Sequence, residues 1–79
     1  MTVLKISLVT IDQVKRFVDL VSKVEGDVDL VSGRYTIDAK SIMGIFSLDI
    51  SKPMELRIYR EEGELGELLM NLKEFQQNI

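Results

Sequence analysis

The sequence predicts an α+β open-faced sandwich: a four-stranded antiparallel sheet with three helices over one of its faces. Three observations carry this prediction. The 79-residue chain reads in order as strand, helix, strand, strand, helix, strand, helix. Its strand segments alternate apolar and polar residues, so each has one side to bury and one for water. Its longer helical segments each carry a single apolar stripe, which needs a sheet to cover. No repeat, linker or low-complexity stretch interrupts the order, and a chain of this length makes one domain, residues 1–79.

The first strand is Val3-Leu4-Lys5-Ile6-Ser7-Leu8, where alternation is clear. Thr10-Ile11-Asp12-Gln13 then has the spacing of a capping box, with the Thr10 hydroxyl accepting from the backbone of Gln13 and Gln13 reaching back. Ile11, Val14, Phe17, Val18 and Val21 follow on one side of a helix; Asp12, Lys15, Arg16, Asp19, Ser22 and Lys23 fall opposite. Leu20 lies on the polar side as an exposed apolar residue, and the helix is expected to stop near Gly26. Val28-Asp29-Leu30-Val31 and Arg34-Tyr35-Thr36-Ile37 flank Ser32-Gly33, a two-residue hairpin signal. A short helix is expected over residues 41–48, ended by Lys52-Pro53, because the residue before proline avoids the helical region. Glu55-Leu56-Arg57-Ile58-Tyr59-Arg60 alternates as the last strand, and Gly63 breaks it. Leu65, Leu68, Leu69, Leu72, Phe75 and Ile79 mark the stripe of a final helix.

Composition narrows the function. Hydrophobic residues make up 46% of the chain, enough for a core that supplies roughly 3–5 kcal/mol of net stability. There is no cysteine and no histidine, so a disulfide is excluded and a zinc site would have only carboxylates to draw on. No metal and no cofactor are expected. The net charge of −3 argues against a nucleic-acid partner, whose phosphates call for clustered basic surface. No apolar run approaches the roughly 20 residues that span a bilayer, and Met1 leads into the first strand without a basic or apolar leader. A cytoplasmic protein with no membrane partner is the expectation.

Two segments carry a resemblance to a known family. Gly26-Asp27-Val28-Asp29-Leu30 and the run Ala39-Lys40-Ser41-Ile42-Met43-Gly44-Ile45-Phe46-Ser47-Leu48-Asp49-Ile50 resemble HPr, the small phosphocarrier of the bacterial sugar phosphotransferase system. The resemblance is good over residues 24–50 and only a matter of pattern elsewhere; its most specific part is Lys40-Ser41-Ile42-Met43-Gly44 after a hairpin of this length. It implies the HPr fold, whose element order is the one read above.

The resemblance also exposes a departure. HPr accepts phosphoryl on a histidine in a Gly-x-His-Ala-Arg-Pro segment between its first strand and first helix. An imidazole suits that task because it is nucleophilic near neutral pH. Here the junction reads Leu8-Val9-Thr10-Ile11-Asp12-Gln13. Counted back from Ser41 without gaps, Thr10 stands opposite the histidine and Asp12 opposite the arginine. Aligned by strand phase, the loop is about four residues shorter and the site is deleted. Either way no nucleophile with a base beside it remains, and Asp12 repels an anion where HPr attracts one. Phosphocarrier chemistry and enzymatic activity are therefore not expected; a residual carrier would have to use Thr10 or Asp12.

Ser41 occupies the place of HPr's regulatory serine, the target of HPr kinase/phosphorylase in many Gram-positive bacteria. Phosphate there would add a charge of about −1.5 to −2 beside free helix N–H groups without unfolding the helix. A plain N-cap accounts for the same residue, and both readings stand. Some HPr relatives lack the histidine, keep the serine and act only in catabolite regulation, and this chain resembles them in what it retains. Ile42, Met43 and Phe46 are expected toward solvent, with Ile45 and Leu48 facing the sheet. On the resemblance, Ile42, Met43 and Phe46, with Leu20, would contact a protein partner; the resemblance offers HPr kinase/phosphorylase, other phosphotransferase components or a transcriptional regulator. The missing arginine weighs against a catabolite-control repressor. The expectation is a non-catalytic regulatory or interaction protein, monomeric or weakly dimeric, switched at Ser41; the alternative is an HPr-fold binding module without that switch. Glu61-Glu62-Gly63-Glu64 reads as a solvated turn, and Lys15, Arg16 and Lys23 as a solvated helix face.

Overall fold

In the computed structural model, which describes residues 1–76, four strands and three α-helices follow one another in the expected order. They are β1 (Thr2–Ile6), α1 (Ile11–Val21), β2 (Val28–Ser32), β3 (Tyr35–Asp38), α2 (Ile42–Phe46), β4 (Met54–Ile58) and α3 (Gly66–Asn71). Single turns of 3₁₀-helix, Glu62–Glu64 and Leu72–Phe75, flank α3. The sheet order is β1-β4-β2-β3, and every pair is antiparallel. The result is an HPr-like open-faced sandwich.

Register follows from the apolar residues. Leu4, Leu56, Leu30 and Ile37 stand opposite one another across all four strands, and Ile6 faces Met54. A slip of one residue would turn this row to water. The helices cover that face. Val14, Phe17 and Val21 of α1 and Ile45 of α2 are fully buried against it, with Leu72 and Phe75. Phe17 and Phe75 meet edge to face, ring centroids 5.9 Å apart and planes at 84°. The opposite face carries Lys5, Asp29, Glu55, Arg57 and Asp38, with an ion pair between Arg57 and Glu55. On the same side Asp29 accepts a bond from the Tyr59 hydroxyl at 2.9 Å. That bond, with burial and the Asp29 charge added, raises the Tyr59 phenol above its ordinary value.

Several sequence expectations shift. The hairpin turn is Gly33-Arg34, not Ser32-Gly33, because Ser32 pairs with Tyr35. Gly33 takes φ +58° and Arg34 does not have positive φ, which puts glycine at the first central position, as a II′ turn requires. The first helix ends at Val21 with Ser22 as its C-cap; Gly26, at φ +95°, instead turns the loop into β2. Ile11, the first residue of α1, is exposed rather than part of the buried stripe. Leu20 and Ile42 are half-buried against the core rather than exposed. The second helix stops at Phe46, short of Leu48. The last helix tightens to 3₁₀ at Leu72, so that Leu72 and Phe75 are buried together. Ile79 lies outside the described residues.

Candidate functional site

The junction between β1 and α1 (residues 7–10) is closed by its own side chains. Leu8 is buried and anchors it, while the Ser7 N–H bonds the Phe75 carbonyl at 2.8 Å. Thr10 is extended, and its hydroxyl accepts the Gln13 N–H at 3.1 Å. The Gln13 side-chain oxygen reaches back to the N–H groups of Val9, at 2.6 Å, and Thr10, at 3.3 Å. The capping box is complete, so Thr10 and the amides around it are engaged in starting the helix. Asp12 stands exposed in the first turn. The chain contains no histidine, and nothing basic stands in that turn. Chemically this corner can cap a helix, and it holds no activated nucleophile.

Ser41 is positioned from β3. The Asp38 carbonyl accepts the Ser41 N–H at 3.0 Å, and the Asp38 carboxylate accepts the Lys40 N–H at 2.9 Å. The Lys40 ammonium extends the other way and donates to the carbonyls of Val24 and Gly26 at 2.7 and 2.8 Å, tying the α1–β2 loop to the start of α2. Ser41 is extended, half-buried, and caps α2: its hydroxyl oxygen accepts the Gly44 N–H at 3.1 Å. Gly44 is close enough that a Cβ would stand 3.2 Å from the Ser41 Oγ and 3.3 Å from the Ile37 Cδ1. The role of the Lys40 ammonium escapes a reading by periodicity, since it is set by carbonyls distant in sequence, whereas Asp38 accepts from the N–H groups of its near neighbours Lys40 and Ser41.

Beyond Ser41, Met43 is 76% exposed and Phe46 43% exposed, while Ile45 of the same helix is fully buried. Two further apolar residues, Val9 (77% exposed) and Ile11 (62% exposed), flank Thr10. The pattern of the sequence assigns Ile11 to the buried stripe of α1 and gives Val9 no role, although an apolar residue on each side of a polar cap is the available signal. Leu8 and Val9 share a shallow groove with Ile50 and Pro53, of about 420 Å³. Along it the Ser51 hydroxyl, then the Ser51 N–H, bonds the Asp49 carboxylate and holds its pKa below the ordinary value. Leu20 lies elsewhere, in a groove of about 440 Å³ between α1 and α3 with Leu65 and Leu68. Met43 and Phe46 do not line that groove.

The acidic turn resolves into surface pairs: Glu61 with the N-terminal ammonium at 3.2 Å and Glu64 with Arg60 at 2.6 Å. Among the described residues no cluster of acidic side chains could hold a metal ion, and no helix is long and apolar enough to cross a membrane.

Comparison with known proteins agrees with this fold. The family model described as the PTS HPr component phosphorylation site matches residues 12–78. The crystal structure of HPr-C-His from Thermoanaerobacter tengcongensis is 27% identical to this chain, covers 94% of it and 92% of its own length, and superposes with a TM-score of 0.74. No curated protein matches the chain.

Proposed function

The chain belongs to the PTS HPr family, and from that premise we propose that it is a non-catalytic regulatory member, which binds protein partners, carries no phosphoryl group on histidine and is switched by phosphorylation of Ser41. The observation that carries the reading is the contrast between two helix starts. At α1, where the family places its phosphocarrier histidine, Thr10 and Gln13 form a closed capping box. At α2, where it places its regulatory serine, Ser41 stands beside exposed Met43 and Phe46. A phosphate on Ser41 would set a charge of about −1.5 to −2 next to that apolar surface and change which partners fit it, while the core beneath stays as it is.

The partner surface in this proposal is Met43 and Phe46, with the outer part of Ile42. Candidate partners are HPr kinase/phosphorylase and other proteins of the phosphotransferase system or its regulation, in the cytoplasm. A second reading, a binding module without the switch, draws on the Ser41–Gly44 hydrogen bond, which gives the serine a structural task of its own. Incubation with HPr kinase and ATP distinguishes the two: one added phosphate, absent from Ser41→Ala, supports the switch. An unmodified protein that still binds a partner through Met43 supports the module.

A further inference from the structure

We propose that β3 is a self-association edge, along which two copies of this chain pair antiparallel about Thr36 to form one continuous sheet. The sheet order leaves β1 and β3 outermost. The end of β1 is already engaged, through the Ile6–Gln76 bridge and the bond from the Ser7 N–H to the Phe75 carbonyl. Among the described residues no strand pairs with the outer side of β3, and at its C-terminal end the Asp38 carbonyl accepts the Ser41 N–H at 3.0 Å.

The hydrogen-bonding phase of β3 selects the register. The Ala39 N–H bonds the Val28 carbonyl at 2.8 Å. Main-chain groups of successive strand residues point to opposite sides, so Ala39, Ile37 and Tyr35 turn theirs toward β2 and Thr36 turns its N–H and C=O outward. A two-fold pairing can therefore centre on Thr36, each copy's Thr36 exchanging both bonds with the other. The same operation puts Arg34 of each copy opposite Asp38 of the other on the open face. A cation there is favourable, because Asp38, whose carboxylate accepts the Lys40 N–H at 2.9 Å, stands across the β2–β3 ladder from another carboxylate, Asp29. The positive charge nearest in sequence, the Lys40 ammonium, is turned away onto the carbonyls of Val24 and Gly26.

The helix-covered side is equally self-complementary. There the pairing sets Tyr35 of one copy opposite Ile37 of the other. Tyr35 is 68% exposed, and beside Ile37 lies a groove of about 550 Å³ lined also by Leu48, Lys52 and the same copy's own Tyr35. An aromatic ring entering between Ile37 and Leu48, with the Tyr35 hydroxyl toward solvent, is how strand addition gains specificity beyond its main-chain bonds. The edge is short, so the dimer is weak and reversible.

Sedimentation of the purified protein from micromolar to millimolar concentration tests this. The wild type is expected to pass reversibly from monomer to dimer, with the Thr36 amide becoming protected from hydrogen exchange as the dimer fills. Arg34→Asp and Asp38→Arg each place like charges opposite one another and should weaken association about tenfold or more. An equimolar mixture of the two restores opposite charges at both contacts and should dimerise at least as well as the wild type. Tyr35→Ser should weaken association while leaving the Lys40–Asp38 contact intact, so the proposal stays testable if Asp38→Arg fails to fold. A wild type that remains monomeric throughout overturns the proposal, as does a dimer that Arg34→Asp and Tyr35→Ser leave unchanged.

Discussion

The Ser41 hydroxyl oxygen lies 3.1 Å from the Gly44 N–H, and the glycine there has no Cβ to crowd it. This contact makes one atom serve both as helix cap and as the proposed phosphate acceptor. The two roles separate by substitution. Ser41→Ala loses the cap and should cost about 1 kcal/mol. Ser41→Asp keeps a capping oxygen and should stay within about 0.5 kcal/mol of the wild type. Urea unfolding of both variants checks the difference; equal losses would mean that the serine does not act as a cap.

The α1 start makes the complementary prediction. Thr10→Ala should destabilise by about 1 kcal/mol through loss of the capping box. The wild type incubated with enzyme I and phosphoenolpyruvate should show no added mass. Transfer to Thr10 or Asp12 would contradict the account of this corner as a structural cap.

Met43 and Ile45 lie two residues apart on α2, one exposed and the other fully buried. Met43→Asp should change stability by no more than about 0.5 kcal/mol while reducing partner binding. Ile45→Ala should cost about 2–5 kcal/mol, a large share of what so small a domain has. Thermal denaturation of the two variants measures the contrast directly.

Phe17 and Phe75 close the core from opposite ends of the chain, with rings 5.9 Å apart. Phe75→Leu keeps an apolar side chain in place and loses the edge-to-face contact. In a double-mutant cycle with Phe17→Leu the coupling should be about 0.5–1.5 kcal/mol, read from chemical denaturation.

Acid weakens two surface contacts in a defined direction. The Arg60 side-chain hydrogen bond, then the Glu61 N–H, holds the Glu64 carboxyl below its ordinary pKa, and Ser51 does the same for Asp49. A carboxyl with a lower pKa in the folded state adds stability that is present above its unfolded value. That stability is lost as the pH falls through the folded value. Arg60→Gln should therefore raise the Glu64 midpoint in an NMR titration and leave that of Asp49 where it is. A Glu64 midpoint that does not move would remove Arg60 as the cause.

Much of this was legible in the sequence, for identifiable reasons. Alternation in Glu55-Leu56-Arg57-Ile58 and the apolar stripe of α1 gave the layers, and Thr10-Ile11-Asp12-Gln13 gave the capping box that the structure contains. The hairpin was displaced by one residue because Ser32-Gly33 and Gly33-Arg34 both offer a turn with glycine. The choice falls to the pairing of Leu30 with Ile37, two residue pairs in from Ser32 and Tyr35 at the turn. Leu20 looked exposed because a helical wheel places it among charges; it is half-buried because α3 lies alongside. Ile11 falls on the buried side of the same wheel and is exposed at the first position of α1. These are tertiary facts, which periodicity within one element does not carry. The exposed pair Val9 and Ile11 widens the apolar surface near the junction beyond the residues that the pattern of α2 alone suggested.

The central claim is that Ser41 is the site of a switch, and intact mass spectrometry after incubation with HPr kinase and ATP tests it most directly. A single added phosphate, mapped by fragmentation to Ser41 and absent from Ser41→Ala, is expected. An unmodified wild type, or a phosphate that persists in Ser41→Ala, would contradict it.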